Sequence, residues 1–232
     1  MCYNGNQDKY NMKINEIKNI EALNEYSNLA RGIKAELEEK GYTYLGQGVD
    51  QVAYLEPGTG QVLKIFGTRD ETKGSGGITL SEDQKMFYIW ANFCMKNSNN
   101  KFLPKFDGFE KFIFDNHTYL QIRQEFLVDS GAIGYQLAAL NRLINGYSNK
   151  VLSSEDIYDI IEEECSRYTE DAMVFAAAKQ YLGEAELRQF INTVVALIKI
   201  SRSKKWTWDL HRHNIMKRKD GTPIIVDPWV LD

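Results

Sequence analysis

The sequence predicts an α+β chain: a small antiparallel sheet carrying one helix, then a mostly helical lobe that ends in a β-hairpin. Three observations carry that expectation. Between residues 42 and 127, short β-rich runs alternate with turn signals. From about 134 to 203, apolar residues recur at steps of three and four. The stretch 206–229, WTWDLHRHNIMKRKDGTPIIVDPW, then returns to short apolar runs around an Asp-Gly turn.

Composition narrows the classes. The 232 residues are enough for one substantial domain or two small lobes, and 43% hydrophobic with 12% aromatic content supplies a core. A net charge of −4 gives no global reason to bind nucleic acid or an anionic membrane, so neither is expected as a partner. The basic clusters SRSKK (201–205) and KRK (217–219) read as solvated helix ends and turns. The polar N-terminus lacks the apolar core of a signal peptide, and runs such as VVALI (194–198) are too short to span a membrane. Cys2, Cys94 and Cys165 are odd in number and without metal-ligand spacing, which reads as reduced thiols. A cytoplasmic protein is expected.

In chain order, residues 1–41 form an N-terminal helical segment. Ile17, Ile20, Leu23, Tyr26, Leu29, Ile33 and Leu37 mark one face of a helix over 12–38, which Gly41 ends. YTYLGQG (42–48), QVAYLEP (51–57) and QVLKIFG (61–67) are strands, the last two joined by the PGTG turn. Ser/Thr caps before EDQK open a helix over 80–97, and NSNN closes it. KFDGFEKFIFD (105–115) and TYLQIRQEFLV (118–128) are two more strands, giving a five-stranded antiparallel lobe over 42–127. A connection at 125–134 leads to a helical lobe, 128–232, with helices at 135–146, 154–167, 170–182 and 184–202. The last is the clearest, with Leu187, Phe190, Ile191, Val194, Val195 and Ile198 on one stripe. NIMK (214–217) and TPIIVD (222–227) pair as a hairpin across RKDG.

Three polar groups sit at strand ends or turns. Gly46 and Gly48, flanking Gln47, let the backbone approach a phosphate closely, or simply form a hairpin turn. Strand alternation places Lys64 on one face with Val62 and Phe66, its ammonium either outward or in a cleft at an anion. Asp209, Asn214 and Asp227 offer oxygen donors that suit a hard cation such as Mg²⁺, or serve as turn, cap and strand-end residues.

The order of these groups along the chain resembles the protein-kinase-like superfamily, over about residues 42–229. GQG (46–48) is similar to that family's glycine-rich loop, Lys64 to its phosphate-holding lysine, DLHRHN (209–214) to its catalytic loop, and IVDPW (225–229) to its Asp-Phe-Gly site. The DLHxxN form looks like the aminoglycoside-phosphotransferase branch, and the longer run DLHRHNIM…DGTPIIVDP like small early serine/threonine kinases of tailed bacteriophages.

The resemblance implies a bilobal fold and ATP- and Mg²⁺-dependent transfer of a γ-phosphoryl group to a hydroxyl. Gly46, Gln47, Gly48 and Val62 would surround the nucleotide, Lys64 would hold the α- and β-phosphates, and Glu82, with Asp83 as runner-up, would pair with Lys64. Glu82 is explained equally well as a first-turn acid capping Thr79. Backbone groups from Glu125 to Leu127 would meet the adenine edge. Asn214 and Asp227 would hold the metal, Asp209 would take the acceptor proton, and His211 would stand by the transferring phosphate. A protein Ser/Thr is the favoured acceptor; a small-molecule alcohol and an inactive nucleotide-binding module are the alternatives. The acidic run SSEDIYDIIEEE (153–164) would serve a cationic acceptor or a solvated helix face.

Departures from the family pattern are Gln51 in place of the third glycine, and Thr207-Trp208 in place of His-Arg before Asp209. No activation segment is expected in the five residues after Asp227. Pro228, Trp229, Val230 and Leu231 are expected to dock on the 184–202 helix and hold Asp227 still.

Overall fold

A computed structural model describes residues 32–47, 51–70, 80–114, 117–148, 153–164 and 170–231. The chain divides into two compact units, Met1–Gly41 and Tyr42–Asp232. In the first, residues 32–39 are helical (α1), and Gly41 at φ +86° ends them with its N–H on the Glu38 carbonyl. The greater part of the expected 12–38 helix lies outside the described residues.

The second unit opens with the five-stranded antiparallel sheet: β1 (Thr43–Gln47), β2 (Gln51–Leu55), β3 (Gln61–Asp70), β4 (Glu110–Phe114) and β5 (His117–Glu125). The spatial order is β1-β2-β3-β5-β4, so β3 and β5 are its centre. The helix α2 (Glu82–Lys96) enters between β3 and β4. Its N-cap is Ser81, whose Oγ accepts the Gln84 N–H at 3.1 Å while Gln84 Oε1 accepts the Ser81 N–H at 3.0 Å. The expected capping residue, Thr79, lies outside the described residues.

Four helices follow: α3 (Ala132–Ser148), α4 (Ser154–Glu164), α5 (Glu170–Leu182) and α6 (Glu184–Lys204). The apolar stripe of α6 is buried along its whole length, from Leu187 to Ile198. Lys205, left-handed at φ +58°, closes it. Short strands then take over: β6 (Val128–Asp129), β7 (Thr207–Trp208), β8 (Ile215–Lys217), β9 (Pro223–Ile225) and β10 (Trp229–Val230). The expected hairpin is β8–β9, with Gly221 at φ +94° in its turn and Asp220 Oδ1 accepting the Thr222 N–H.

Sheet and helices share one apolar core. It runs from Phe66 on β3 through Phe87, Trp90 and Cys94 on α2 and Phe102, to α3, α6 and Trp229. Phe66 meets Phe87, and Phe102 meets Phe190, each edge to face with ring centres 5.2 and 5.4 Å apart. Among the described residues, no helix is long and apolar enough to cross a membrane.

Candidate active site

Strand register sets the first part of the site. Gly46 on β1 pairs with Ala53 on β2, and Ala53 with Lys64 on β3. Gly46 and Lys64 thus share one level of the sheet two strands apart, about 10 Å at ordinary strand spacing. A bulge falls between Tyr44 and Gly46, and a Cβ added at Gly46 would meet nothing within 4 Å. The Gln47 backbone pairs with Val52, and Gly48 lies outside the described residues. Val62, buried, sits two residues before Lys64 on the same strand face.

The Lys64 side chain turns inward. Its ammonium lies 4.9 Å from the centre of the Phe87 ring. Burial depresses its pKa, opposed by the charge of Asp227 and then by Cys94. The expected partner is corrected here: Glu82 is exposed and bonded to Lys85 at 2.5 Å. Lys64 makes no ion pair among the described residues. The reason is helical phase: the first turn of α2 points to solvent, and the residues turned toward β3 are Phe87, Ala91 and Cys94.

The second part is a loop tied at every step. Asp209 follows β7, and its N–H donates to the Pro228 carbonyl at 2.9 Å. Asn214 Nδ2 donates back to the Asp209 carbonyl at 2.7 Å. The Asn214 carbonyl accepts the Val226 N–H at 2.8 Å, so the amide of Asn214 and the carboxylate of Asp227 are set by one strand end. Asn214 Oδ1 is uncommitted among the described residues. His211 Nδ1 accepts the His213 N–H at 3.2 Å, which puts the proton of a neutral ring on Nε2, 3.6 Å from Asp209 Oδ2. A 3₁₀ turn, Arg212–Asn214, completes the loop.

Asp227 lies between β9 and β10 at φ +46°, left-handed backbone that Asp tolerates better than most residues. The residue as a whole is exposed, while its carboxyl lies close enough to surrounding protein to be partly desolvated. Burial raises its carboxyl pKa; Lys64 opposes the rise, Asp209 adds to it, and His211 opposes it. Asp227 is thus within electrostatic reach of Lys64, Asp209 and His211, which come from two other segments of the chain. Among the described residues, no three His, Cys, Asp or Glu side chains form a metal group by themselves. Asp209, Asn214 and Asp227 are oxygen donors of the kind a hard cation takes beside phosphate and water.

Two sequence expectations change at the linker. The Glu125 N–H is taken by the Lys105 carbonyl and the Phe126 N–H by that of Gly60. Of these three N–H groups, that of Leu127 alone has no hydrogen bond among the described residues. The Glu125 carboxylate is held by Arg218, with Nε at 2.7 Å and Nη2 at 2.6 Å. Arg218 also donates to the Lys101 and Leu103 carbonyls, so the KRK cluster is not simply a solvated turn. Nothing local in the sequence marks a pair 93 residues apart.

The sequence reasoning also missed Asn141 on α3, which is buried. Its Nδ2 donates to the Leu210 carbonyl at 2.8 Å, and its Oδ1 accepts from Trp208 Nε1 at 3.0 Å, holding the loop from below. The amphipathic pattern of α3 gave a weak signal, an Asn on its buried stripe. The tail docks on α6 through Trp229, which is buried and whose Nε1 donates to the Leu197 carbonyl at 3.2 Å, whereas Val230, also expected to dock, is exposed. No family model, no curated protein and no solved structure matches this chain.

Proposed function

We propose that this protein is an ATP- and Mg²⁺-dependent phosphotransferase whose acceptor is a hydroxyl, read as a protein Ser or Thr. The observation that carries the reading is the convergence on Asp227 of Lys64 from the sheet and of the Asp209–Asn214 loop, which is hydrogen-bonded to Val226 and Pro228 on either side of Asp227. A bilobal kinase-like arrangement is part of the same proposal, resting on a five-stranded sheet with one helix ahead of the helical part.

The residues divide the work. Lys64, depressed in pKa yet beside Asp227, regains a full counter-charge when nucleotide phosphates arrive. Asp227 and the Asn214 amide would hold Mg²⁺, which supplies neutralisation of phosphate charge. Asp209 accepts the proton of the acceptor hydroxyl as its oxygen bonds to the γ-phosphorus and the bond to ADP breaks. His211 Nε2 faces Asp209 and orients it. Leu127 offers its main-chain N–H to a base edge.

One observation favours a second reading, a nucleotide-binding module without transfer: Lys64 faces Phe87 in place of an acid. A single experiment separates the two. Purified protein is incubated with γ-labelled ATP and Mg²⁺, with and without cell lysate, as wild type, Asp209→Ala and Asp227→Ala. Label transfer by wild type, lost in both variants, is expected. In thermal-shift titration, Asp209→Ala should keep Mg²⁺–ATP protection and Asp227→Ala should lose it. Protection without transfer in wild type selects the second reading; no protection at all overturns both.

A further inference from the structure

Beside Asp209 lies a pocket of about 390 Å³ between α3 and residues 208–212. Asp209 is the one carboxylate in its lining, whereas Arg142 from α3 and Arg212 from the loop both line it. Four arginines elsewhere have partners. Arg123 pairs with Glu56 and Glu110, Arg188 with Asp159 and Glu184, and Arg218 with Glu125; Arg202 is bonded to Ser148 and Asn145. Arg142 makes no ion pair or hydrogen bond among the described residues. Arg212 makes none either, and its guanidinium is stacked 4.5 Å from the centre of the exposed Tyr135 ring. Two unneutralised, fork-shaped donors thus stand around the group read as receiving the acceptor proton.

We propose that this pocket recognises a carboxylate or phosphate borne by a residue next to the acceptor hydroxyl, so that the acceptor is a Ser or Thr in an acidic polypeptide segment. This deepens the phosphotransferase reading and rests on it. Guanidinium forks match such oxyanions two bonds at a time. Three acids of α4 have partners elsewhere: Asp159 on Arg188, Glu162 on Lys179, and Glu164 on Tyr147. No acid of α4 lines the pocket, which weighs against a cationic, aminoglycoside-type acceptor there. The form of the site favours a chain over a small molecule. Small-ligand sites bury most of their ligand, but here Tyr135, Arg142, His211 and Arg212 are all exposed and the site is a groove.

The test uses fluorescently labelled Ser-containing peptides with Glu, Gln or Lys flanking the Ser, titrated with the full chain by polarisation in the absence of nucleotide. The Glu peptide should bind about tenfold more tightly than the Gln peptide at low salt, the advantage shrinking as salt rises. Arg142→Glu and Arg212→Glu should each abolish the advantage and turn it toward the Lys peptide. Both positions are exposed, and Arg142→Gln serves as the milder check should a reversal perturb folding. Equal binding of Glu and Gln peptides overturns the proposal. So does a phosphorylated sugar that displaces the Glu peptide at a concentration below the peptide's own Kd, which would assign the pocket to a small anionic alcohol. Because binding is read without ATP, a chain that fails to transfer phosphate still reports on the pocket. Equal transfer to all three peptides would overturn the acidic-acceptor assignment and leave the phosphotransferase reading standing.

Discussion

The ammonium of Lys64 lies 4.9 Å from the centre of the Phe87 ring, and this aromatic face, rather than a carboxylate, is its partner on α2. A cation over a desolvated ring gains on the order of 1–2 kcal/mol. That is too little to offset burial of the charge, so the Lys64 pKa falls, with Asp227 the largest opposing influence. Glu82→Gln should therefore change Mg²⁺–ATP protection less than about twofold, since Glu82 only serves an exposed pair with Lys85. Phe87→Leu should weaken it more. Thermal-shift titration of both variants checks the ranking, and a collapse in Glu82→Gln would mean that α2 rotates on binding nucleotide.

Acidity at Asp227 has a definite sign. Its folded pKa is raised above the ordinary value of 3.8, so between the two pKa values the native state binds more proton than the unfolded chain. Folding stability consequently falls as pH rises from about 3.8 through the folded pKa. Asp227→Asn keeps a residue that tolerates φ +46° but removes the titration, so the stability profile across that window should flatten. Urea midpoints measured at a series of pH values test this. A proton also competes with metal at the same oxygen, so Mg²⁺-dependent protection should fade on acidification above the usual carboxylate range.

Trp229 anchors the chain two residues after Asp227. It is 3% exposed, donates to the Leu197 carbonyl, and packs edge-on against Trp90 with centroids 5.4 Å apart. Trp229→Ala should cost about 3–5 kcal/mol. Trp229→Phe, which keeps most of the volume and loses the hydrogen bond, should cost about 1–2 kcal/mol. Denaturant midpoints give these values. In Trp229→Phe the loss of Mg²⁺–ATP affinity should exceed that of a stability-matched core variant if the anchor positions Asp227.

Glu125 and Arg218 join the linker to the hairpin with both side chains largely shielded from solvent, 20% and 16% exposed. Arg218→Ala leaves the Glu125 carboxylate with the Lys105 N–H alone and frees the Lys101 and Leu103 carbonyls. A loss of about 2–4 kcal/mol is expected. Arg218→Lys should recover under half of it, because an ammonium lacks the fork. Equilibrium unfolding of the two variants decides; an Arg218→Ala variant as stable as wild type would show the clamp to be dispensable.

Local patterns along the chain determined the elements of this protein. Period-two runs with Pro-Gly and Asp-Gly turns became β2–β3 and β8–β9, and the i, i+3, i+4 stripe from Leu187 to Ile198 became the buried face of α6. Such signals are legible because each element's periodicity lies within its own dozen residues. The candidate site was legible in its residue types, Lys64, Asp209, His211, Asn214 and Asp227; the fold brings Lys64, Asp209 and His211 within electrostatic reach of Asp227 and bonds Asn214 to Asp209. Tertiary structure alone decided their partners. Whether Glu82 or Phe87 meets Lys64 depends on how α2 is rotated against β3, a phase of the helix that the sequence of neither element contains. The same holds for Arg218 on Glu125, Asn141 under Leu210, and the pairing of Arg142 with Arg212 at one pocket. Those contacts join residues about 70 to 90 positions apart, and chain packing, not local propensity, selects them.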